Sequence, residues 1–565
     1  MTTTSVKGVS PAAWFHRAVV YQIYPRSFAD SNGDGIGDLP GITARVGHLA
    51  RLGVDALWLS PIYRSPQDDN GYDIANYQDI DPTFGTLADF DELAAALHRH
   101  DIALVMDLVV NHTSDEHPWF EQSRADRTNE RRAWYWWRPP APGGGPPNNW
   151  GSAFSGSAWQ LDEATGEYYL HLFSRKQPDL NWEQPEVRQA VYAMMRWWLD
   201  RGVDGFRMDV INMISKDTAL PDGPIRHDGL GNPAPHTFCG PRLHEFLQEM
   251  HREVFAGRTG RLLTVGETPG IDIPDARLMS DPARRELDMV FQFEHVDLDH
   301  DGSKWRRKPL PLPTLKGCLA RWQEGLATVG WNSLYWNNHD QPRVVSRFGD
   351  DRAEHRVASA KALATVLHLH RGTPFIYQGE ELGMTNFPFR RLEDFADIES
   401  VNHAATAVAA GRDPVELLAA MAPASRDNAR SPMQWDASPH AGFTTGTPWF
   451  PVNPNHAEVN AAAAEADPDS VLHHHRRLIE LRHREPVVAD GAFALLLEDD
   501  PHLWAFTRTL GGEQLLVVAN CSDREVAVPI DGWVDAEVVL HSGPAASGAD
   551  RLGPWAARIS RRAAG

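Results

Sequence analysis

Arg207 and Asp209 stand two residues apart near the end of Gly202-Val203-Asp204-Gly205-Phe206-Arg207-Met208-Asp209-Val210, a short apolar stretch of strand type. Alternate side chains of a strand point the same way, so the two share a face. A guanidinium held beside a carboxylate keeps it ionised, which suits a nucleophile awaiting a developing positive charge, although a structural ion pair would look the same. Glu267 follows Thr264-Val265-Gly266 with no cation adjacent in sequence, the better setting for a raised pKa and an acid role. Asp340 closes Asn337-Asn338-His339-Asp340, and His112 closes Val109-Val110-Asn111-His112. If these groups meet, two of the carboxyls can work on an acetal bond, one attacking or stabilising and the other donating a proton. Neutral imidazoles at the same place can hydrogen-bond sugar hydroxyls, and such bonds tighten as charge develops.

The elements that would bring them together are legible as apolar runs. Residues 18–24 (AVVYQIY), 54–59, 102–110, 202–210, 261–266, 289–293, 332–336 and 374–377 read as eight strands. Helical faces lie between most of them: Ile42, Val46, Leu49 and Leu52 with Gly53 as stop; Phe90, Leu93 and Leu97; Val187, Val191, Met194 and Trp198 after Pro185; Leu243, Phe246, Leu247, Met250 and Val254. Continuous apolar strands separated by helices indicate a parallel sheet covered on both faces. The fold class is therefore α/β, a (β/α)₈ TIM barrel, whose chemistry sits at the carboxyl ends of its strands. A doubly wound open sheet is the rival, but no G-x-G-x-x-G follows the first strand. Asp209, Glu267 and Asp340 then converge on one mouth from strands four, five and seven.

One connection is too long for a compact turn. Residues 112–181 are rich in Trp, Pro, Gly and Asn, with β-like pieces such as 168–173, and read as a small domain inserted after strand three. The barrel thus occupies 1–111 and 182–485. The irregular stretch 383–450 follows strand eight and could complete a wall of the cleft. From 486 to 565 short strands and a Gly511-Gly512 turn predict a C-terminal antiparallel β-sandwich domain.

The totals agree with a soluble enzyme of neutral substrates. At 565 residues the chain exceeds one ordinary core. Its 76 acidic against 54 basic side chains, a net charge of -22, argue against nucleic acid or an anionic membrane as partner. The three cysteines, Cys239, Cys318 and Cys521, show no paired spacing, so neither a disulfide framework nor a zinc site is indicated. Residues 1–10 lack the apolar core of a secretion signal, and no segment approaches the roughly 18 to 20 apolar residues of a membrane span. The expectation is a cytoplasmic protein, a monomer or weak homo-oligomer, acting on small oligosaccharides without an organic cofactor.

Asp30-Ser31-Asn32-Gly33-Asp34-Gly35-Ile36-Gly37-Asp38 places oxygen ligands at alternate positions, with glycines that let the chain curl and the Ile36 carbonyl available. Hard oxygens at this spacing suit a structural Ca²⁺, or Mg²⁺ with waters. The run is like the first part of an EF-hand loop but lacks its closing glutamate, since Gly41 stands there.

Asp107-Leu108-Val109-Val110-Asn111-His112, Gly205-Phe206-Arg207-Met208-Asp209, Gly266-Glu267 and Asn338-His339-Asp340 resemble the ordered motifs of the α-amylase family, glycoside hydrolase family thirteen. More narrowly, Gln177-Pro178-Asp179-Leu180-Asn181-Trp182 and Ala429-Arg430-Ser431-Pro432-Met433-Gln434-Trp435 are similar to its oligo-1,6-glucosidase and α-glucosidase branch. The resemblance implies Asp209 as nucleophile forming a β-glucosyl ester, Glu267 as general acid and then base, and Asp340 as the third acid that binds sugar hydroxyls. It implies Asp69 and Tyr72 at the closed end of the pocket, with Arg430 paired to Asp69 across the floor. Cleavage would then be exo, with retention, and the two reacting carboxyls about 5 to 5.5 Å apart. Val210 is similar to the valine of relatives that favour α-1,6 bonds. Arg207, His112, His339, Phe154 and Gln177 join the candidate sugar-binding set, and Glu393 is a candidate contact to the second sugar. The resemblance also implies a structural cation in the loop after the first strand.

Two other outcomes of the same reading are an α-1,4-preferring maltase and a transglucosidase or sucrose isomerase. The arginine- and aspartate-rich loop associated with isomerases is not seen after Asp340, where the chain reads Gln341-Pro342-Arg343-Val344-Val345. A reading of another class is a non-catalytic interaction module built on the same barrel, against which stand all three acids.

Overall fold

The computed structural model describes residues 13–564, so the segment read as lacking a secretion signal lies outside the described residues. Eight strands form one sheet: β1 (Val20–Ile23), β2 (Ala56–Leu59), β3 (Ala103–Val109), β4 (Gly205–Asp209), β5 (Leu263–Glu267), β6 (Met289–Phe291), β7 (Ser333–Leu334) and β8 (Thr373–Tyr377). Each overlaps an expected run; β5 ends one residue later, at Glu267, β8 begins one earlier, at Thr373, and the others fall inside. Neighbours pair in parallel in the order β6-β5-β4-β3-β2-β1-β8-β7. The ring closes between β6 and β7 through the Val290–Asn332 bridge and the Ser333 hydroxyl, which donates to the Val290 carbonyl at 2.7 Å.

Strand burial is total on both faces, as continuous apolar runs require. Inside the ring Val20, Trp58, Val105, Val265, Phe291 and Phe375 form one cluster, with the Phe291 and Phe375 ring centroids 4.7 Å apart. Outside it, the expected helical faces pack against the strands. Leu39–Leu52 starts on Asp38, whose side chain accepts from the Gly41 N–H, and stops at Gly53 with φ of 93°, a left-handed conformation cheap for glycine. Leu87–Arg99 opens on a capping box between Thr86 and Asp89. Pro185–Asp200 buries Val187, Val191, Met194 and Trp198. Leu243–Met250 runs into a π-helical turn, His251–Phe255, that carries the expected Val254.

Between β3 and β4 the chain makes a helix, Pro118–Ala125, and a three-stranded antiparallel sheet of Trp137–Arg138, Trp159–Asp162 and Glu167–Leu170. The stretch after β8, expected to be irregular, contains two helices, Ile398–Ala409 and Pro414–Met421, both N-capped by aspartates. At the carboxyl end β9 (Ala492–Leu496), β10 (Leu503–Leu510), β11 (Glu513–Asn520), β12 (Glu537–Ser542) and β13 (Ala557–Ala563) form an antiparallel sheet in the order β9-β10-β11-β13-β12. Leu510 faces Glu513 across the two-glycine turn. One face packs on the barrel helix Arg356–Leu369, and a two-stranded ribbon, Val526–Ala527 with Arg551–Leu552, covers part of the other. Among the described residues no helix is long and apolar enough to cross a membrane.

Candidate active site

Register places the chemistry. Asp107 of β3 and Val265 of β5 both stand beside Arg207 of β4, so the carboxyl ends of three adjacent strands deliver Asp107, Asp209 and Glu267 to one guanidinium. Arg207 Nη1 lies 2.8 Å from Asp107 Oδ1 and 2.7 Å from Asp209 Oδ1, and Nη2 lies 2.7 Å from Glu267 Oε2. Arg207 was expected beside Asp209; Glu267, with no cation adjacent in sequence, meets the same guanidinium because strands remote in sequence fill the other donors of the fork. Burial and the hydrogen-bonded Glu267 carboxyl push the Asp209 carboxyl well up, against the pull of Arg207.

Val210, directly after Asp209, has φ of 35° and ψ of 41°. That left-handed geometry is costly for a β-branched residue, and it turns the Val210 N–H onto Glu267 Oε2 at 3.1 Å. It belongs to one buried cluster with Met213, Leu220 and, from the inserted segment, Trp136, Trp150, Leu170 and Leu172.

The residues expected at the closed end belong to a second group of ions. Arg426 reaches Asp69 at 3.2 Å, Asp340 at 3.2 Å and Asp397 at 2.5 Å, while Arg430 reaches Asp340 at 2.8 Å and Asp397 at 3.0 Å. The partner of Asp69 is therefore Arg426, not Arg430 as expected. Four residues apart across the turn Asp427–Arg430, the two arginines share a side of the chain, and only the fold decides which reaches farther. Burial opposes ionisation of Asp340, but His339, Arg426 and Arg430 hold its carboxyl well below the usual carboxylate range. Asp69 is pushed up to about 7 because burial outweighs its arginines.

Tyr72 stacks on His339 with centroids 5.2 Å apart and donates its hydroxyl to Asp107 Oδ2 at 3.0 Å. Gln177 donates to Asp69 Oδ2 at 3.1 Å and lies 3.2 Å from His112 Nε2. Phe154 carries the Arg426 guanidinium 5.1 Å from its ring centroid. The Gln22 amide nitrogen, 2.9 Å from His339 Nδ1, can only donate, so Nδ1 accepts and the ring proton sits on Nε2, 3.3 Å from Asp340 Oδ2. Burial keeps both imidazoles neutral, lowering His339 to about 3 and His112 to about 4. Glu393 stands apart, exposed on the turn Leu392–Asp394, and no hydrogen bond or ion pair among the described residues joins it to these groups. Sequence reasoning missed Arg426 and Asp397, whose only signal was the spacing of Arg426 to Arg430, and Asp107, quoted only as part of a motif.

A crevice of about 30 Å³ lined by Asp340, His300 and Lys304 adjoins an open vestibule of about 780 Å³ that shares the last two residues. The vestibule is walled by the inserted segment (Ser152), the loop after β4 (Arg226), the loop after β6 (Trp305) and the first helix after β8 (Glu399).

In the acidic loop Asp30 accepts from the N–H groups of Asn32, Gly33 and Gly35 at 2.8–2.9 Å, Asn32 from Asp34, and Asp34 from Ile36. Asp38 is committed elsewhere, to Ser31 and to the helix start at Gly41. The successive turns string Asp30, Asn32 and Asp34 along one curl whose side-chain oxygens accept from the loop's own N–H groups, and Asp30 also accepts from the Thr444 hydroxyl.

A family model described as "Alpha amylase, catalytic domain" matches residues 22–491. The chain is 55% identical to an oligo-1,6-glucosidase of Parageobacillus thermoglucosidasius over 97% of this chain and 98% of that protein. It is 56% identical to an alpha-glucosidase of Pediococcus pentosaceus over 92% and 93%. Among solved structures, a trehalulose synthase variant superposes with a TM-score of 0.94 at 45% identity, over 98% of this chain and all of that one. With its barrel, its ordered motifs and these likenesses along nearly its whole length, the chain belongs to the α-amylase family, glycoside hydrolase family thirteen, in the oligo-1,6-glucosidase branch.

Proposed function

We propose that this protein is an exo-acting, retaining α-glucosidase that releases glucose from the non-reducing end of short α-glucosides, with preference for α-1,6 linkages. The observation that carries the reading is that Asp209 and Glu267 share the Arg207 guanidinium, at 2.7 Å each, while Arg426 joins Asp69 to Asp340. A carboxyl that attacks beside one that donates a proton is the arrangement of the retaining course. With a terminal glucose seated, Glu267 gives its proton to the departing oxygen and Asp209 attacks the anomeric carbon. Glu267 then takes a proton from the water that cleaves the resulting ester. Arg207 keeps the charge of the pair in place, and Asp340, held ionised, receives sugar hydroxyls beside the neutral His339 and His112. Tyr72, Gln177 and Phe154 shape the closed end.

The test is nuclear magnetic resonance of the first product of nitrophenyl α-glucoside or isomaltose hydrolysis. Initial α-glucose supports the reading; β-glucose, or cleavage inside longer chains, defeats it. The α-1,6 preference rests on likeness to proteins named oligo-1,6-glucosidase and on Val210, and is read as the ratio of kcat/KM on isomaltose to that on maltose. A maltose preference that survives Val210→Thr removes the Val210 argument.

A second outcome at the same site is transfer of the glucosyl group to a sugar hydroxyl. It is favoured by likeness to an isomaltulose synthase of Klebsiella, TM-score 0.93 at 44% identity over 98% of this chain and all of that one. Product analysis on concentrated maltose and sucrose separates transfer from hydrolysis. The reading includes a structural Ca²⁺, or Mg²⁺, held by Asp30, Asn32, Asp34 and the Ile36 carbonyl, which would tie the loop after β1 without entering the reaction. Metal analysis after dialysis, with melting in chelator, tests it. The reading also includes a cytoplasmic monomer or weak homo-oligomer, which fits the three free cysteines, Cys239, Cys318 and Cys521, and is checked by cell fractionation and sedimentation.

A further inference from the structure

The segment between β3 and β4 leaves the barrel at Asn111 and returns at Asp179–Leu180, and these two ends are tied to each other. Leu180 N–H donates to the Asn111 carbonyl at 2.9 Å, Thr113 N–H to Pro178 at 3.2 Å, and the Asn111 amide to Asp179 Oδ2 at 3.1 Å. Lys216, seven residues beyond Asp209, sits on this neck. Its ammonium group lies 3.0 Å from Asp179 Oδ2, 3.0 Å from Asn111 Oδ1 and 2.8 Å from the Met213 carbonyl, so all three of its N–H bonds are used. Lys216, Asp179 and Asn111 are all buried. A lysine with no solvent exposure is rare, and its charge is tolerable only because one carboxylate and two neutral oxygens meet it.

From the neck the contacts run directly to the pocket. Asn111 is followed by His112, which lies 3.2 Å from the Tyr72 carbonyl and from Gln177, and Gln177 donates to Asp69. Asp179 also accepts from Leu172 N–H at 2.8 Å, in the part of the insertion that shares a buried cluster with Val210.

We infer that Lys216 is a positioning residue: it clamps both ends of the inserted domain to the loop after β4 and thereby fixes the His112–Gln177 wall relative to Asp209, setting how tightly the terminal sugar is held. The inference rests on the glucosidase reading for its kinetic consequence and on the neck alone for its structural one. Misplacing a positioning wall by about 1 Å can cost on the order of a hundredfold.

The variants are Lys216→Met and Lys216→Met/Asp179→Asn. The second removes both charges, so that folding is not penalised by an unpaired buried carboxylate. Assayed below the onset of melting, both should lose about ten- to a hundredfold in kcat/KM on isomaltose, carried by KM with kcat little changed. Hydrogen exchange should accelerate at the amides of 111–113 and 172–180 and stay unchanged in β9 to β13. Wild-type KM in the double variant, with lowered melting temperature alone, overturns the inference, as does unchanged exchange at the neck. If the wild-type protein itself turns over no α-glucoside, the functional reading fails, and the exchange experiment still decides the clamp.

Discussion

Two arginine–carboxylate clusters face each other at the barrel mouth, and they differ in the number of cations. In the first, Arg207 alone serves Asp107, Asp209 and Glu267. In the second, Arg426 and Arg430 together serve Asp69, Asp340 and Asp397. Both are buried, yet their acids behave oppositely. Burial pushes Asp107 up to about 6, and burial with Glu267 beside it pushes Asp209 well up. In the second cluster burial is overcome by the arginines, which hold Asp397 at about 2 and Asp340 lower still. Asp69, touched by Arg426 alone, is the exception and rises to about 7. One positive charge for three acids leaves Asp107 and Asp209 raised, a setting for acid and base work; two hold Asp340 and Asp397 as standing anions, which suit binding hydroxyls.

The largest effect should come from the Asp209–Glu267 pair. Asp209→Asn and Glu267→Gln should each lower kcat/KM on nitrophenyl α-glucoside by about 10⁴-fold or more, and the double variant should be little worse, because the two act as a unit. Next in size, Arg207→Met should cost about 3 to 5 kcal/mol of stability in denaturant melts, since it strips the only cation from three buried acids. Arg426→Met should cost less, because Arg430 stays in contact with Asp340 and Asp397. Equal losses would contradict the account by cation number.

The neutral histidines beside the clusters set a third expectation. His112 and His339 titrate near 6.5 when unfolded but only near 4 and 3 in the native protein, so below pH 6.5 the unfolded chain takes up protons that the native one refuses. Stability should therefore fall as pH drops from 6.5 toward 4, by about 2 kcal/mol per histidine at pH 5, as melts at pH 7 and pH 5 would show. The smallest effect sharpens the comparison most. Asp107→Asn removes an anion from the one-cation cluster, which favours the deprotonated forms of the Asp209–Glu267 pair, so both limbs of the kcat/KM profile should move to lower pH by roughly one unit. Asp397→Asn, in the cluster with two cations, should leave the profile in place. A matching shift in both would refute the comparison.

Much of this was legible in advance for a local reason. A strand buried on both faces must be apolar throughout, and a helix on its flank must repeat its apolar residues near every fourth position, so 102–110 and Ile42, Val46 and Leu49 declared themselves. Residues at the carboxyl ends of such strands then had to share a mouth, which singled out Asp209 and Glu267 without any distance being known. The alternating oxygens of the acidic loop led to the proposal of a cation there, but did not reveal that Asp38 would spend both its oxygens on Ser31 and a helix start.

The sequence by itself determined the barrel, the insertion, the family and the three acids, because each is written in periodicity or in residues adjacent along the chain. Only the tertiary structure decided who pairs with whom: that Arg207 is divided among three strands, that Arg426 rather than Arg430 meets Asp69, that Val210 bends its N–H toward Glu267, and that Lys216 closes the neck of the insertion. The physical reason is that ionisation depends on separations of a few ångströms between groups tens to hundreds of residues apart, and those separations exist only once the barrel has closed.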